Sequence, residues 1–229
     1  MAVLKLLMNK KLFLREPQDT SLGRKMVRES ILMIDELGIE QFTFKKLAKH
    51  IGSTEASIYR YFENKHRLLI YLISWYWNWL EYKIDFSTQN IKDPKEKLKV
   101  AIELVAMQKQ HDNSFPDIDE VVLSRIVVAE SDKVYHTKKV DEENNDGLFR
   151  GFKSLCKLIA SFVQEINPKY RFSHSLISTM LEAAHQQVFF ARHLPALTEL
   201  DRNDSKIDEQ NTKFLTHLVF SAINQKNDA

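Results

Sequence analysis

The chain has 229 residues, of which 44% are hydrophobic and 28% charged, a composition typical of a globular protein with one or two compact units. Five Gly and five Pro are too few for the many tight turns of an all-β protein or for glycine-rich phosphate loops. The single Cys, Cys156, excludes internal disulfides and paired-thiolate zinc sites. We therefore predict an all-α protein in the cytoplasm.

Residues 1–20 are interpreted as an N-terminal extension. Lys5, Lys10 and Lys11 interrupt their apolar stretches, so they lack the continuous apolar region and cleavage site of a signal peptide. Through Lys10, Lys11 and Arg15 the extension is either an arm for the minor groove of DNA or a disordered start. No stretch of the chain approaches the roughly 18 apolar residues of a membrane span, so we expect no membrane partner.

Charge is unevenly distributed along the chain. The first 67 residues carry a net charge of +5, and the remainder carries −3. A basic segment is compatible with phosphate contact, although such asymmetry also arises by chance. Arg24, Lys25 and Arg28 lie in the first turns of a predicted helix, where cations oppose the helix dipole. This placement favours an anionic partner, with an ordinary solvated face as the alternative.

Three helices are predicted near the N-terminus. Residues 24–38 place Val27, Ile31 and Ile34 on one face and end at Gly38. Two shorter helices follow, and because neither is long enough to be stable alone, they must share a core with the first. The predicted caps are Asp19, Thr20 or Ser21 for the first helix, Thr43 and Gly52 for the second, and Ser53 or Thr54 for the third. Two short helices joined by a Gly-containing turn form a helix-turn-helix unit.

The third helix has an outward face suited to a DNA groove. With Ile58 pointing inward, a helical projection puts Ala56 and Arg60 on the opposite side and Ser57 and Tyr59 on the shoulders. The face is therefore small at its start and carries Arg and Tyr further along. This pattern fits insertion of the helix N-terminus into the major groove.

Many of these residues recur at fixed spacings in a known family. They are Gly38, Thr43, Ala48 with Gly52, Thr54, the run Ile58, Tyr59, Arg60, Tyr61, Phe62, and Lys65. In this pattern residues 26–69 resemble the DNA-binding domain of the TetR family of bacterial transcriptional regulators. The resemblance implies a three-helix helix-turn-helix DNA-binding domain at residues 21–66 and a larger C-terminal helical ligand-binding and dimerisation domain at residues 67–229.

The resemblance also implies roles for individual residues. Phosphate contacts are implied for Thr43, Tyr59, Tyr61 and Lys65, and contacts with base edges for Thr54, Ala56, Ser57 and Arg60. Hydroxyls and a Lys at a helix start are donors that can position a duplex without reading it. Ser53 and Glu55 depart from the family pattern. Glu55 either accepts a hydrogen bond from a cytosine amino group or complements the helix dipole.

The rest of the chain is predicted to be helical. The helix starting near His66 is apolar on nearly every side, as expected of a connector buried between two bodies. Residues 132–146 are interpreted as an exposed loop or an irregular helix end. Further helices are predicted from Asp93-Pro94 and over residues 117–130, 148–166, 173–194 and 205–224. The resemblance implies that the last two form a homodimer interface, with a monomer core as the alternative; the predicted interface residues are Val188, Phe189, Leu215, Leu218 and Val219.

A small-molecule effector of unknown identity is likewise implied by the resemblance. Its candidate pocket residues are Trp75, Trp79, Tyr82, Met107, His111, Met180, Ala184 and Gln187, and for each of them ordinary core packing is the alternative. No His pair has helical zinc-site spacing, and no nucleophile elbow or phosphate loop occurs. We therefore expect no cofactor, metal or catalytic residue, and no enzyme activity.

Together these features predict a homodimeric, DNA-binding transcriptional regulator, most often a repressor in this family. Its partner is a near-palindromic, double-stranded operator whose half-sites lie about 34 Å apart. Effector binding would favour a dimer that no longer matches this spacing, with the connector helix transmitting the shift. The alternative is a TetR-like adaptor or interaction protein that has lost DNA reading, as Ser53, Glu55 and the modest basic charge suggest.

Overall fold

The computed structural model of the chain describes residues 4–107, 111–202 and 204–224. These residues form helices and no strand, which confirms the predicted all-α class. Three short 3-10 helices, Lys10–Leu12, Pro17–Asp19 and Pro195–Leu197, accompany the α-helices. The α-helices are α1 Ser21–Gln41, α2 Phe44–Ile51, α3 Glu55–Tyr59, α4 Lys65–Thr88, α5 Pro94–Ala106, α6 Glu120–Glu130, α7 Asp132–Tyr135, α8 Val140–Asn145, α9 Arg150–Ile166, α10 Ser173–His193 and α11 Asp204–Asn224.

Side-chain caps fix the starts of several helices. The Thr20 hydroxyl accepts a hydrogen bond from the Gly23 N–H at the start of α1, so Thr20 is the cap among the three candidates. Asp93 caps α5 ahead of Pro94, as predicted. Asp119 caps α6, which therefore begins slightly later than the predicted residue 117. These caps satisfy N–H groups that have no partner within the helix.

The chain divides into two compact units. The first contains residues 1–78 and 109–152, and the second contains residues 79–108 and 153–229. In the second unit α10 packs against α11, and α5 packs against both. The first unit includes much more than the predicted helix-turn-helix domain of residues 21–66. Residues 109–152 belong to the first unit because α6 packs along α1.

The first part of α4 supplies much of the core of the first unit. Residues 68–77 are all buried, and Tyr71, Trp75 and Trp77 are each at most 1% exposed. The Trp77 indole N–H donates to the Tyr135 hydroxyl at 2.9 Å. Burial on all sides of this stretch agrees with its predicted all-round apolar character, and rings of this size account for a large share of buried apolar surface.

The N-terminal extension packs onto the first unit. Met8 and Leu12 are buried, and the Leu14 N–H donates to the Tyr61 carbonyl at 2.8 Å. The Asn9 amide donates to the carbonyls of Asp146 and Gly147 at 3.0 and 2.9 Å. Both earlier interpretations, a minor-groove arm and a disordered start, are therefore corrected for residues 4–20. Burial of the Met8 and Leu12 side chains stabilises this packed conformation.

Residues 132–146 are not an exposed loop throughout. They contain α7 and α8, with Val134 fully buried and Glu143 only 2% exposed. Glu143 lies 2.9 Å from His66 Nε2, so this polar segment is held by a long-range side-chain hydrogen bond that no local sequence pattern predicts. Among the described helices, none combines the length and apolar character needed to cross a bilayer.

Candidate nucleic-acid interface

The turn between α2 and α3 is built from local signals. The Thr43 hydroxyl accepts from the Lys46 N–H at 3.2 Å and begins α2. Gly52 ends α2 in the left-handed region, at φ 69° and ψ 38°, where the absence of a Cβ removes the steric cost. Thr54 then begins α3 by accepting from the Ser57 N–H at 3.2 Å. The predicted Thr43 and Gly52 caps are confirmed, and Thr54 is the cap of α3.

The inner face of this unit anchors α3, which has only five residues. Ile58 and Phe62 are at most 1% exposed. The Tyr59 ring packs edge-to-face on Phe44 of α2, with centroids 5.1 Å apart. Because one turn of helix is not stable alone, these contacts hold α3 in place and leave its opposite side accessible.

Most of the predicted DNA contacts lie on that accessible side. Ser57 is partly exposed, and Tyr59 keeps 47% of its surface. Glu55 lies in the first turn of α3, next to the unpaired N–H groups, and makes no ion pair with another described residue; this geometry suits the dipole role. The exposed residues among the predicted contacts are Thr43, Thr54, Glu55, Ala56, Tyr59 and Arg60.

The structure corrects the role predicted for Tyr61. This side chain is only 3% exposed, and its hydroxyl pairs with the Thr20 hydroxyl at 2.7 Å. The Arg15 guanidinium lies over its ring, 5.5 Å from the centroid. Residue 61 lies beyond the end of α3 at Tyr59, and its side chain turns into the protein, unlike the phosphate contact that the family resemblance implies. Tyr61 therefore fixes the start of α1 and is not on the outward face.

Lys65 is likewise occupied within the chain. Its ammonium group donates to the carbonyls of Ile39, Glu40 and Phe42 at 2.8, 3.1 and 3.4 Å. These carbonyls follow the break in α1 at Gly38, where φ is 72°. An ammonium has three donors, and here all three serve the end of α1. Lys65 thus positions that end, in place of the predicted phosphate contact.

Two lysines that the sequence analysis did not single out lie on α2. Lys45 and Lys49 are exposed, and neither side chain forms an ion pair or hydrogen bond with another described residue. They are four residues apart, so the two like charges lie side by side on one helix face and repel each other. The sequence signal that could have pointed to these two lysines is their i, i+4 spacing with no acidic residue between them. An anionic partner would relieve the repulsion.

The other side of the first unit is tied together by ion pairs between α1 and the segment around α6. Asp35 accepts two hydrogen bonds from the Arg125 guanidinium at 2.9 and 2.6 Å. The buried Ile39 N–H donates to Glu130 at 3.1 Å. Since α1 also packs against α2, α6 supports the helix on which the helix-turn-helix rests.

The predicted effector-pocket residues fall on both units. In the first unit, Trp75 packs edge-to-face on Phe115 at 5.3 Å and lines a cavity. His111 lies 3.3 Å from Glu120 and does not line that cavity. In the described residues no group of His, Cys, Asp or Glu is arranged to hold a metal ion.

The remaining pocket candidates belong to the second unit. Met180 and Ala184 are buried, and the Ala184 carbonyl accepts from the Asn211 amide at 3.0 Å. The Gln187 side chain accepts from the Thr198 hydroxyl at 2.7 Å. Buried Trp79, half-buried Tyr82 and exposed Met107 complete this set. The pocket assignment of these residues stays a prediction.

Two of the five predicted interface residues belong to the protomer's own core. Leu215 and Val219 are fully buried, because α11 turns this face toward α10 and α5. Val188 packs against a buried cluster of Ala191, Leu200 and Ile207. The interface prediction is therefore corrected for Leu215 and Val219. Phe189, at 40% exposure, and half-buried Leu218 remain accessible, as does the neighbouring Phe214 at 38%.

Comparison with known proteins agrees with this geometry. Residues 32–72 match the family model of the bacterial regulatory proteins of the tetR family. No curated protein matches the chain in sequence.

Solved structures share the fold. The fatty acid degradation regulator FadR from Bacillus halodurans has 16% identity and a TM-score of 0.53, covering 89% of this chain and 95% of that one. AibR in complex with isovaleryl coenzyme A and operator DNA has 14% identity and a TM-score of 0.58, covering 86% and 98%. Superantigen PfiT has 14% identity and a TM-score of 0.55, covering 88% and 96%. The predicted resemblance to the tetR family of bacterial regulatory proteins is confirmed by the family model over residues 32–72, and the solved structures show that the fold is shared.

Proposed function

We propose that this protein is a sequence-specific, DNA-binding transcriptional regulator that inserts α3 into the major groove. The observation that carries the proposal is the outward side of α2 and α3, where small and polar side chains stay accessible on a buried scaffold. The match of residues 32–72 to the tetR family supports it, as does the shared fold of AibR, a protein solved with operator DNA.

In this proposal the contacts divide into two classes. Thr54, Ala56, Ser57 and Arg60 approach base edges. Thr43, Tyr59, Lys45 and Lys49 contact phosphates. The two lysines take over the phosphate-contacting role that was expected of Tyr61 and Lys65. Phosphate contacts raise affinity for all sequences alike, whereas contacts at the base edges select the operator.

A homodimer would present two such faces to a near-palindromic operator, with half-sites about 34 Å apart. Accessible apolar side chains on α10 and α11 support this arrangement, because Phe189, Phe214 and Leu218 would lose water contact in an interface. In this proposal the protein acts as a repressor, and a small-molecule effector releases it from the operator. The isovaleryl coenzyme A bound to AibR supports an effector for this fold.

One observation favours a second function, that of an adaptor without DNA reading. Superantigen PfiT shares the fold, and a fold alone does not determine function. The internal partners of Tyr61 and Lys65 also remove two of the phosphate contacts expected for a regulator.

Selection of bound sequences from a random duplex pool separates the two functions. At a stated near-physiological salt concentration, a regulator enriches a palindrome with half-sites one helical turn apart. Failure to enrich any sequence, with the protein folded and dimeric, favours the adaptor.

The lysines of α2 provide a second test. Lys49→Ala should weaken binding to all duplexes alike and reduce the slope of log affinity against log salt by about 1. Lys157→Ala is the matched control, because Lys157 is an exposed lysine on α9, outside the helix-turn-helix. Equal slopes for both variants would contradict the phosphate contact.

A further inference from the structure

A cavity of about 370 Å³ lies within the first unit, near the lower end of the roughly 300–1,000 Å³ typical of small-molecule sites. Val27 of α1, Tyr71 and Trp75 of α4, and Phe115 and Ile118 of the segment before α6 line it. All five of these side chains are aromatic or branched aliphatic, and all five are buried. The walls therefore suit an apolar molecule.

The N-terminal extension forms another wall of this cavity. Leu4, Lys5 and Gln18 line it. The Leu4 N–H donates to the Ser114 carbonyl at 3.1 Å, and the Gln18 amide donates to the Leu6 carbonyl at 3.3 Å. The extension is thereby held against the segment before α6, which gives residues 4–18 a role that their sequence did not suggest.

One buried polar group in the wall lacks an acceptor. Tyr71 is fully buried, and the Gln18 side chain lowers the pKa of its hydroxyl, as a donor to the oxygen does. No acceptor for the hydroxyl proton lies in hydrogen-bond geometry within the described part of the chain. Burial raises the pKa of this hydroxyl well above its usual value, so it stays protonated and remains a donor. A buried donor without an acceptor is costly, and a ligand that brings an acceptor would satisfy it.

The charged groups around the cavity are already paired within the chain. Arg24 lies 3.4 Å from Asp117 and donates to the Gln18 carbonyl at 2.9 Å. Lys5 pairs with Asp19 at 2.5 Å. A charged ligand would thus find no unpaired counter-ion here, and burying its charge would be unfavourable.

We propose that this cavity binds a small, uncharged, apolar molecule with a carbonyl group, such as an ester, ketone or lactone, whose oxygen accepts the Tyr71 hydrogen bond. Val27 and Arg24 belong to α1, which packs on α2. A ligand in the cavity would therefore contact the helix that supports the helix-turn-helix. The assignment of this ligand as the effector rests on the proposed function, whereas its binding does not.

Three matched probes test the ligand class by calorimetry on the full chain without DNA: methyl 3-phenylpropanoate, 3-phenylpropanoate and propylbenzene. The ester should bind about tenfold more tightly than the hydrocarbon, as expected for one buried hydrogen bond, and the carboxylate should bind most weakly. Absence of ester binding up to about 1 mM, or tightest binding by the carboxylate, would overturn the proposal.

Two substitutions test the residues. Tyr71→Phe should lower ester affinity to that of propylbenzene and leave propylbenzene unchanged, whereas Tyr76→Phe, at a buried tyrosine of the same helix outside the cavity, should change neither. Asp117→Asn should raise carboxylate affinity several-fold by releasing Arg24. Equal ester affinity in Tyr71→Phe and the native chain would refute the proposed hydrogen bond. These results hold whether or not the protein binds DNA, so they are separable from the operator selection.

Discussion

The two sides of the first unit are built differently. On the outward side, α2 and α3 are fixed by caps within a few residues, and a Cβ at Gly52 would meet nothing within 4 Å. On the opposite side, α1 is held by partners about 90 residues away, through Asp35 with Arg125 and Ile39 with Glu130. Substitutions on the outward side should therefore change binding, and those on the opposite side should change stability.

The largest expected effect compares two glycines. A Cβ at Gly23 would lie 2.3 Å from the Pro17 carbonyl oxygen and 2.7 Å from Pro17 Cα. Because backbone must move to admit it, Gly23→Ala should lower the free energy of unfolding by about 3 kcal/mol or more. Gly52→Ala should cost only about 1 kcal/mol, for its left-handed backbone. Urea denaturation measures both, and equal losses would mean that the extension does not press on α1.

Glu120 at the start of α6 should make stability depend on pH. Burial raises its pKa to about 7, from an ordinary value of 4.5. An acidic group whose pKa is higher in the folded than in the unfolded state stabilises the protein fully at pH values below its unfolded pKa. This stabilisation is lost as the pH rises through the folded pKa. The free energy of unfolding should therefore fall between pH 4.5 and about pH 7, by at most about 3 kcal/mol.

Glu120→Gln removes this titration. The difference in the free energy of unfolding between the variant and the native chain therefore isolates the contribution of Glu120 from that of other titrating groups. The variant should gain stability relative to the native chain as pH rises to 8. Glu209→Gln is the control, because Lys213 holds the pKa of Glu209 below its ordinary value. The contribution of Glu209 to stability therefore rises with pH, opposite in sign to that of Glu120. Parallel curves for Glu120→Gln and the native chain would show that burial does not perturb Glu120.

Lys65→Met should destabilise the protein by about 2 kcal/mol, because three carbonyls after Gly38 lose a charged donor. Lys49→Met, on the outward side, should leave thermal stability nearly unchanged. Similar melting temperatures for the two variants would place Lys65 among the solvent-facing cations after all.

Local signals in the sequence predicted the outward side well. Thr43 and Gly52 act within one helical turn, and both have the predicted capping role. Asp93 of the second unit behaves in the same way at the start of α5. The predictions that were wrong concern side chains whose partners are distant in the sequence. Tyr61 and Lys65 follow the end of α3, and their partners Thr20 and Ile39 are 41 and 26 residues away.

The same reason explains the unit boundary and the cavity. The spacing of apolar residues predicts α6 but not that it packs on α1, so residues 109–152 were assigned to the C-terminal domain. Trp75 is a pocket candidate in the sequence because it is aromatic, yet the cavity wall combines it with Val27 and Phe115, and these three residues come from three separate stretches of chain. No single helical pattern contains that information.

The smallest expected effect tests the contrast between the two sides most directly, through two tyrosines that each lose only a hydroxyl. Operator affinity and unfolding free energy should be measured together for Tyr59→Phe and Tyr61→Phe, using the duplex selected above. Tyr59→Phe should lose several-fold in affinity at unchanged stability, and Tyr61→Phe should lose about 1 kcal/mol of stability at unchanged affinity. Loss of affinity in Tyr61→Phe at full stability, or no loss in Tyr59→Phe, would contradict the account.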